Sequence, residues 1–115
     1  MRQIVLAITL TTLLSSACAD TTLGTREVLL DNQTVEVVRL TYPVGSESGM
    51  HTHKYPNRAV YFVQGGTMQV ILQDTEKTSN VMEMLDGTAS FVPASTHNIR
   101  NIGNTEIIII ETEIK

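Results

Sequence analysis

Hydrophobic and polar residues alternate with a period of two along much of the chain. In the run from 67 to 73, for example, the apolar residues Met68, Val70 and Leu72 alternate with the polar residues Thr67, Gln69 and Gln73. Successive side chains of a strand point to opposite faces of a sheet, so this pattern predicts a strand with one buried face. Beyond the first 19 residues, no stretch keeps the ~3.6-residue period of a helix.

Seven or eight short runs of this kind are separated by turn signals, at residues 27–30, 34–42, 60–64, 67–73, 81–85, 89–92, 97–101 and 106–113. The Gly65-Gly66 pair between two of them predicts a tight hairpin turn. The last run centres on Ile107–Ile110 and is apolar on both faces, which predicts a strand that lies between layers or against another subunit. Many short strands at this spacing predict a sandwich or barrel. Residues 20–115 therefore form one all-β domain.

Composition agrees with a β fold and excludes some partners. The chain of 115 residues has no tryptophan, and it is rich in Val, Ile and Thr, which fit a pleated, half-buried surface. Its core is therefore expected to be aliphatic, with methionines as filling residues. The formal net charge is −4 and there is no basic stripe. Neither nucleic acid nor an anionic membrane surface is expected as a partner.

Residues 1–19 have the order of an export signal. Arg2 provides a basic start, Ile4–Leu14 is apolar apart from threonines, and Ala17-x-Ala19 forms a cleavage site before Asp20. This order predicts a signal peptide and a periplasmic or secreted protein. The apolar stretch is too short to cross a bilayer, which takes about 20 residues in a helix.

Cys18 leaves a second route of processing open. Ser16-Ala17-Cys18 is similar to the end of a bacterial lipobox, in which the cysteine is lipidated and anchors the protein to a membrane. Ser15 stands where a lipobox prefers leucine. Because Cys18 is the only cysteine, no intramolecular disulfide is possible.

The three histidines of the chain are its candidate metal ligands. His51 and His53 lie two residues apart, so on a strand both rings project from one face and reach the same point. His97 follows a loop that begins at Pro93 and offers a third imidazole. Imidazole binds several transition metals. Spacing alone leaves open an exposed strand with solvated histidines.

The surroundings of these histidines resemble the two motifs of the cupin superfamily. Gly49-x-His51-x-His53, followed by a hydrophobic strand that ends at Gly65, is similar to the first motif. The second motif is matched by the order of Gly87, Pro93, His97 and Asn101. The resemblance covers roughly residues 35–113. It implies an antiparallel jelly-roll barrel in which His51, His53 and His97 bind one divalent transition metal: Fe, Mn, Zn or Ni.

The sequence departs from the cupin pattern at the fourth ligand. Cupins place a glutamate about three residues before the position of Tyr61, and this chain has Arg58 there. A guanidinium close to a divalent ion repels it. Three alternatives follow: a three-histidine site with open positions, as in the thiol dioxygenases; an Arg58 that binds a carboxylate or phosphate; or an Arg58 turned outward because Pro56 disturbs the strand. Glu47 and Met50 are further candidates for a metal ligand.

The sequence thus predicts an exported, metal-binding cupin barrel that binds a small molecule through Arg58 and the Tyr61 hydroxyl. Two alternatives stay open: a metal-dependent enzyme of dioxygenase or isomerase type, and a metal-free barrel that binds a small anion through Arg58. The edges of a small barrel gain from being covered, so a homodimer is expected. The Ile107–Ile110 strand is the candidate contact.

Overall fold

Eight of the nine strands in the described residues overlap the predicted runs, and the short strand at His51–Thr52 is additional. The computed structural model describes residues 20–73 and 79–115, so the predicted signal peptide with Cys18 lies outside the described residues. Within these two segments there are nine strands: β1 Thr25–Asp31, β2 Val35–Tyr42, β3 His51–Thr52, β4 Asn57–Gln64, β5 Gly66–Leu72, β6 Ser79–Met84, β7 Ala89–Pro93, β8 Thr96–Asn101 and β9 Ile107–Ile114. No helix in this part of the chain is long and apolar enough to cross a membrane.

The strands form two antiparallel sheets that face each other. The five-stranded sheet has the order β1-β2-β9-β4-β7, and the four-stranded sheet has the order β3-β8-β5-β6. Several consecutive strands lie in opposite sheets, since the chain passes from β4 to β5 and from β8 to β9 by changing layer. This arrangement confirms the predicted all-β jelly roll.

The core lies between the two sheets and is mainly aliphatic, as the composition predicts. β4 and β9 contribute alternate residues to it, as β4 does with Val60 and Phe62. The other buried members of this cluster are Tyr42, Met68, Ile107 and Ile109. Burial of such side chains stabilises the fold by roughly 1.5–3 kcal/mol each.

The Gly65-Gly66 pair connects the two sheets, so the predicted hairpin at this point is wrong. β4 ends at Gln64 in one sheet and β5 begins at Gly66 in the other. A Cβ atom on Gly65 would lie 1.9 Å from the carbonyl oxygen of Met84. The Gly65 N–H donates a 2.7 Å hydrogen bond to Asp86 Oδ1. Glycine is needed here because one backbone passes directly over another.

The strand that contains Ile107–Ile110 lies at the centre of the five-stranded sheet. β9 pairs with β2 on one side and with β4 on the other. An edge-to-edge contact between subunits through this strand is therefore excluded. Ile107 and Ile109 are buried, whereas Ile108 and Ile110 on the outer face are half-buried. The homodimer itself stays a prediction.

Asn101 ties the loop before β3 to the end of β8. Its side chain is buried, and its amide donates 2.8 Å hydrogen bonds to the carbonyl oxygens of Tyr42 and Thr105. Its Oδ1 accepts from the Gly103 N–H at 3.1 Å. Its backbone carbonyl accepts a further bond from the Gly45 N–H at 3.1 Å. These bonds fix where the chain enters β3, which carries His51.

We expect Asn101→Ala to lower the free energy of unfolding by about 2–3 kcal/mol, because it leaves buried backbone groups without partners. Chemical denaturation of the purified variant measures the change. Asn80→Ala, at an exposed position of β6, is the matched control and should alter stability by less than about 0.5 kcal/mol. Equal losses in the two variants would contradict this role of Asn101.

Candidate metal centre

The pairing of β3 with β8 brings the three histidines together. His51 on β3 lies directly opposite His97 on β8. His53 follows β3 and continues this pairing, since its N–H donates a 3.2 Å hydrogen bond to the carbonyl oxygen of Ser95. The three ring centroids lie 4.7–4.9 Å apart. The two-residue spacing of His51 and His53 thus places both of their rings beside the ring of His97.

Each ring turns its Nε2 atom toward a common point. Nε2 of His53 lies 3.1 Å from Nε2 of His51 and 3.3 Å from Nε2 of His97. His97 is buried, and the other two residues are half-buried. The predicted convergence of the three histidines is therefore found.

The Nδ1 atoms all have hydrogen-bond partners outside this point. His51 Nδ1 lies 3.0 Å from the carbonyl oxygen of Gly49, and His53 Nδ1 is bonded to a carboxylate oxygen of Glu113. Both partners only accept, so these two Nδ1 atoms carry the proton and leave the Nε2 lone pairs free. His97 Nδ1 lies 2.7 Å from Ser95 Oγ. Metal-binding histidines in proteins are oriented by such partners.

The surroundings keep the rings of His53 and His97 neutral. Burial, together with the positive charge of Arg58, lowers the pKa of His97 to about 3. Burial also lowers the pKa of His53, against the hydrogen bond to Glu113, which raises it. The free Nε2 lone pairs of His51 and His53, only 3.1 Å apart, repel one another unless a cation lies between them. A proton is disfavoured at His53 and His97, so the donor set fits a divalent transition metal.

Two carboxylates beside the histidines were not predicted from the sequence. Glu111 and Glu113 on β9 are both buried, and Glu111 Oε1 lies 3.8 Å from His53 Nδ1. These two residues form a second potential metal-binding group with His53. The prediction for this strand was based on the apolar residues Ile107–Ile110, and the two glutamates follow them directly. The signal was present, because Ile107, Ile109, Glu111 and Glu113 occupy one face at a period of two.

Glu111 has a perturbed pKa. Burial raises the pKa of Glu111 to about 7; the positive charge of Arg58 lowers it, and the negative charge of Glu113 raises it further. Glu113 Oε1 accepts a hydrogen bond from His53 Nδ1. Its other oxygen, Oε2, is buried without a hydrogen-bond partner. The cupin resemblance implies a glutamate at the position of Arg58. This chain instead has two carboxylates on the neighbouring strand β9.

Arg58 faces the interior, so the alternative that Pro56 turns it outward is excluded. Its side chain is 7% exposed, and its Nε lies 3.5 Å from Glu111 Oε2. It occupies the same face of β4 as Val60 and Phe62. The strand phase thus continues through the residues after Pro56.

The other candidate residues lie away from the histidines. Tyr61 is 47% exposed on the outer face of β4, so its hydroxyl does not enter the barrel. This corrects the prediction, because residues three apart on a strand, like Arg58 and Tyr61, face opposite sides. Glu47 accepts bonds from Arg100 Nε at 2.7 Å and Asn98 Nδ2 at 3.1 Å. Met50 is 37% exposed. Glu47 does not belong to the histidine group.

A cavity of about 300 Å³ extends from the histidines into the barrel. His51, His97, Arg58 and Glu111 supply polar atoms to its wall, and most of the remaining wall is apolar. A second opening of about 430 Å³ reaches His51 and His53 from the other side. The histidine group therefore lies beside two cavities, of which the smaller, the apolar chamber, has a mostly apolar wall.

Comparisons with known proteins agree with this architecture. No family model matches the chain. Beta-alanine degradation protein BauB of Pseudomonas aeruginosa is 30% identical over 89 residues, which cover 76% of this chain and 90% of that protein. A cupin domain of Bordetella pertussis is 27% identical with a TM-score of 0.73, covering 83% of this chain and 96% of that one. An RmlC-like cupin of Methanocaldococcus jannaschii, 18% identical, has the same fold with a TM-score of 0.61 and 84% of each chain covered.

We expect Glu113→Gln to weaken binding of a divalent metal by ~10-fold or more, because the charged partner of His53 is lost while its shape is kept. Competition with a chromophoric chelator measures the affinity. Glu106→Gln removes one carboxylate at an exposed position of the loop before β9 and should leave the affinity unchanged. Equal affinities in the two variants would show that Glu113 does not support the site.

Proposed function

Since this chain belongs to the cupin superfamily, we propose that it is a metal-binding barrel that presents one divalent transition metal to a small-molecule ligand. His51, His53 and His97 would hold the metal. The observation that carries the proposal is the 3.1–3.3 Å convergence of their Nε2 atoms. Imidazole donors are compatible with Fe, Mn, Zn and Ni.

The chain's own residues prepare this centre. Gly49, Glu113 and Ser95 orient the three rings through Nδ1, and the apolar chamber beside them limits access of water. A metal bound by three protein ligands keeps positions open, and there it polarises a carbonyl or activates water. The ligand would approach from the cavity that His51 and His97 line.

We expect the untagged protein to bind about one equivalent of metal, and His51→Ala and His97→Ala each to lose it. Elemental analysis measures the content, and thermal melting gives a second readout. A metal present at 100 times its dissociation constant stabilises the fold by about 2.7 kcal/mol. Thr52→Ala, between two of the histidines but with an exposed side chain, is the control that keeps the metal.

The proposal fails if wild-type protein carries no metal and its melting temperature ignores added Zn, Mn, Fe and Ni. Retention of metal by both histidine variants would place the ion elsewhere. Export, and lipidation of Cys18 as its alternative, stay predictions from residues 1–19.

A metal-dependent enzyme is the second candidate function, favoured by the open positions that three protein ligands leave. Glu111 lines the cavity with a raised pKa, which suits an acid or base. Consumption of dioxygen with thiols or 1,3-diketones tests a dioxygenase. The name of the BauB relative refers to degradation of beta-alanine, so this compound belongs in the same screen.

A further inference from the structure

We propose that the cavity ligand is a small monocarboxylate with an apolar chain, whose carboxylate is bound by Arg58. The inference rests on the proposed function for the cavity as the ligand site, and it adds the chemical class of the ligand. Three observations carry it: the unmet donors of Arg58, the positions of the internal carboxylates and the wall of the cavity.

The guanidinium of Arg58 has hydrogen-bond donors that the protein does not satisfy. Arg58 is 6% exposed, and its Nε and Nη1 atoms are buried without a hydrogen-bond partner. A buried donor left unsatisfied costs about 1–3 kcal/mol, and more when it is charged. Arg58 also lines the cavity. An acceptor that enters the cavity from outside would remove this cost.

The internal carboxylates do not supply that acceptor. Glu111 Oε2 lies 3.5 Å from Arg58 Nε, yet this contact does not satisfy the donor. Glu113 is directly opposite Arg58 in the pairing of β4 with β9, but its Oε1 is bonded to His53. Both glutamates thus reduce the cost of burying the guanidinium while leaving its donors available.

The wall of the cavity selects the rest of the ligand. Its volume of about 300 Å³ lies at the low end of the range of ~300–1,000 Å³ for small-molecule sites. Apolar side chains dominate the wall, among them Val60, Phe62, Val70, Ile99 and Ile109. Of the described residues that line it, Arg58 is the only lysine or arginine. One carboxylate on a short apolar chain fits this wall better than a dicarboxylate or a phosphate.

Butanoate, its neutral isostere butanamide and the dicarboxylate succinate are the probes that test this inference. Isothermal titration calorimetry is performed on the metal-loaded and the metal-stripped wild-type protein. We expect butanoate to bind at least tenfold more tightly than butanamide or succinate. Equal binding of butanoate and butanamide, or no binding of butanoate, overturns the inference.

Arg58→Gln is expected to change the two affinities in opposite directions. It should weaken butanoate binding at least tenfold, because the charged donor is lost. It should strengthen metal binding, by about tenfold, because a positive charge that repels the ion is removed. Damage to the fold would instead weaken both. Arg39→Gln, whose arginine side chain is 48% exposed and pairs with Glu27, is the matched control and should alter neither affinity.

If Arg58→Gln does not fold, the double variant Arg58→Gln/Glu111→Gln removes both charges of the buried pair and should lose butanoate in the same way. Unchanged butanoate affinity in a folded Arg58 variant overturns the inference. Butanoate binding that depends on Arg58 in a protein that holds no metal would refute the proposed function and leave this inference standing.

Discussion

The hydrogen bond between His53 and Glu113 joins the two sheets at the point where the metal centre lies. His53 continues the pairing of β3 with β8 in the four-stranded sheet, whereas Glu113 belongs to β9 at the centre of the five-stranded sheet. Because the carboxylate accepts from Nδ1, the ring must turn its Nε2 toward His51 and His97. Without this contact the imidazole would have no fixed orientation. The geometry of the whole donor set therefore depends on one bond between layers.

Arg58 and the two buried glutamates form the second constraint. An arginine that replaces a carboxylate near a metal site adds a repulsive charge, and in isolation it would lower the affinity for a divalent ion. Here β9 brings Glu111 and Glu113 to the same region. The negative charge thus lies on β9 and not on the neighbouring strand β4. As a result, the guanidinium of Arg58 faces the apolar chamber, where it would bind an anionic ligand. Metal affinity and ligand charge are thus linked through the same three side chains.

The sequence predicted most of the strands and the convergence of the histidines, because both follow from local rules. His51 and His53 share a face by the period of two, and the cupin resemblance brought in His97. The contacts of Glu111 and Glu113 depend on the register of β9 with β4, which is set by residues about 50 positions apart and has no local signal. Tyr61 was misplaced for a different reason, since it was chosen by motif position against the strand phase. The Gly65-Gly66 pair also lacks a local signal for its partners. A glycine pair predicts a turn, but it does not indicate whether the strands on its two sides belong to one sheet or to two.

The position of β9 has a consequence for the order of assembly. The last strand of the chain is the middle strand of the larger sheet, and β2 and β4 pair with it on its two sides. Neither of these strands can complete its ladder before residues 107–114 are available, so folding is dominated by contacts between distant parts of the chain, which form slowly. A chain that emerges from its N-terminus onward therefore keeps the larger sheet open until β9 appears.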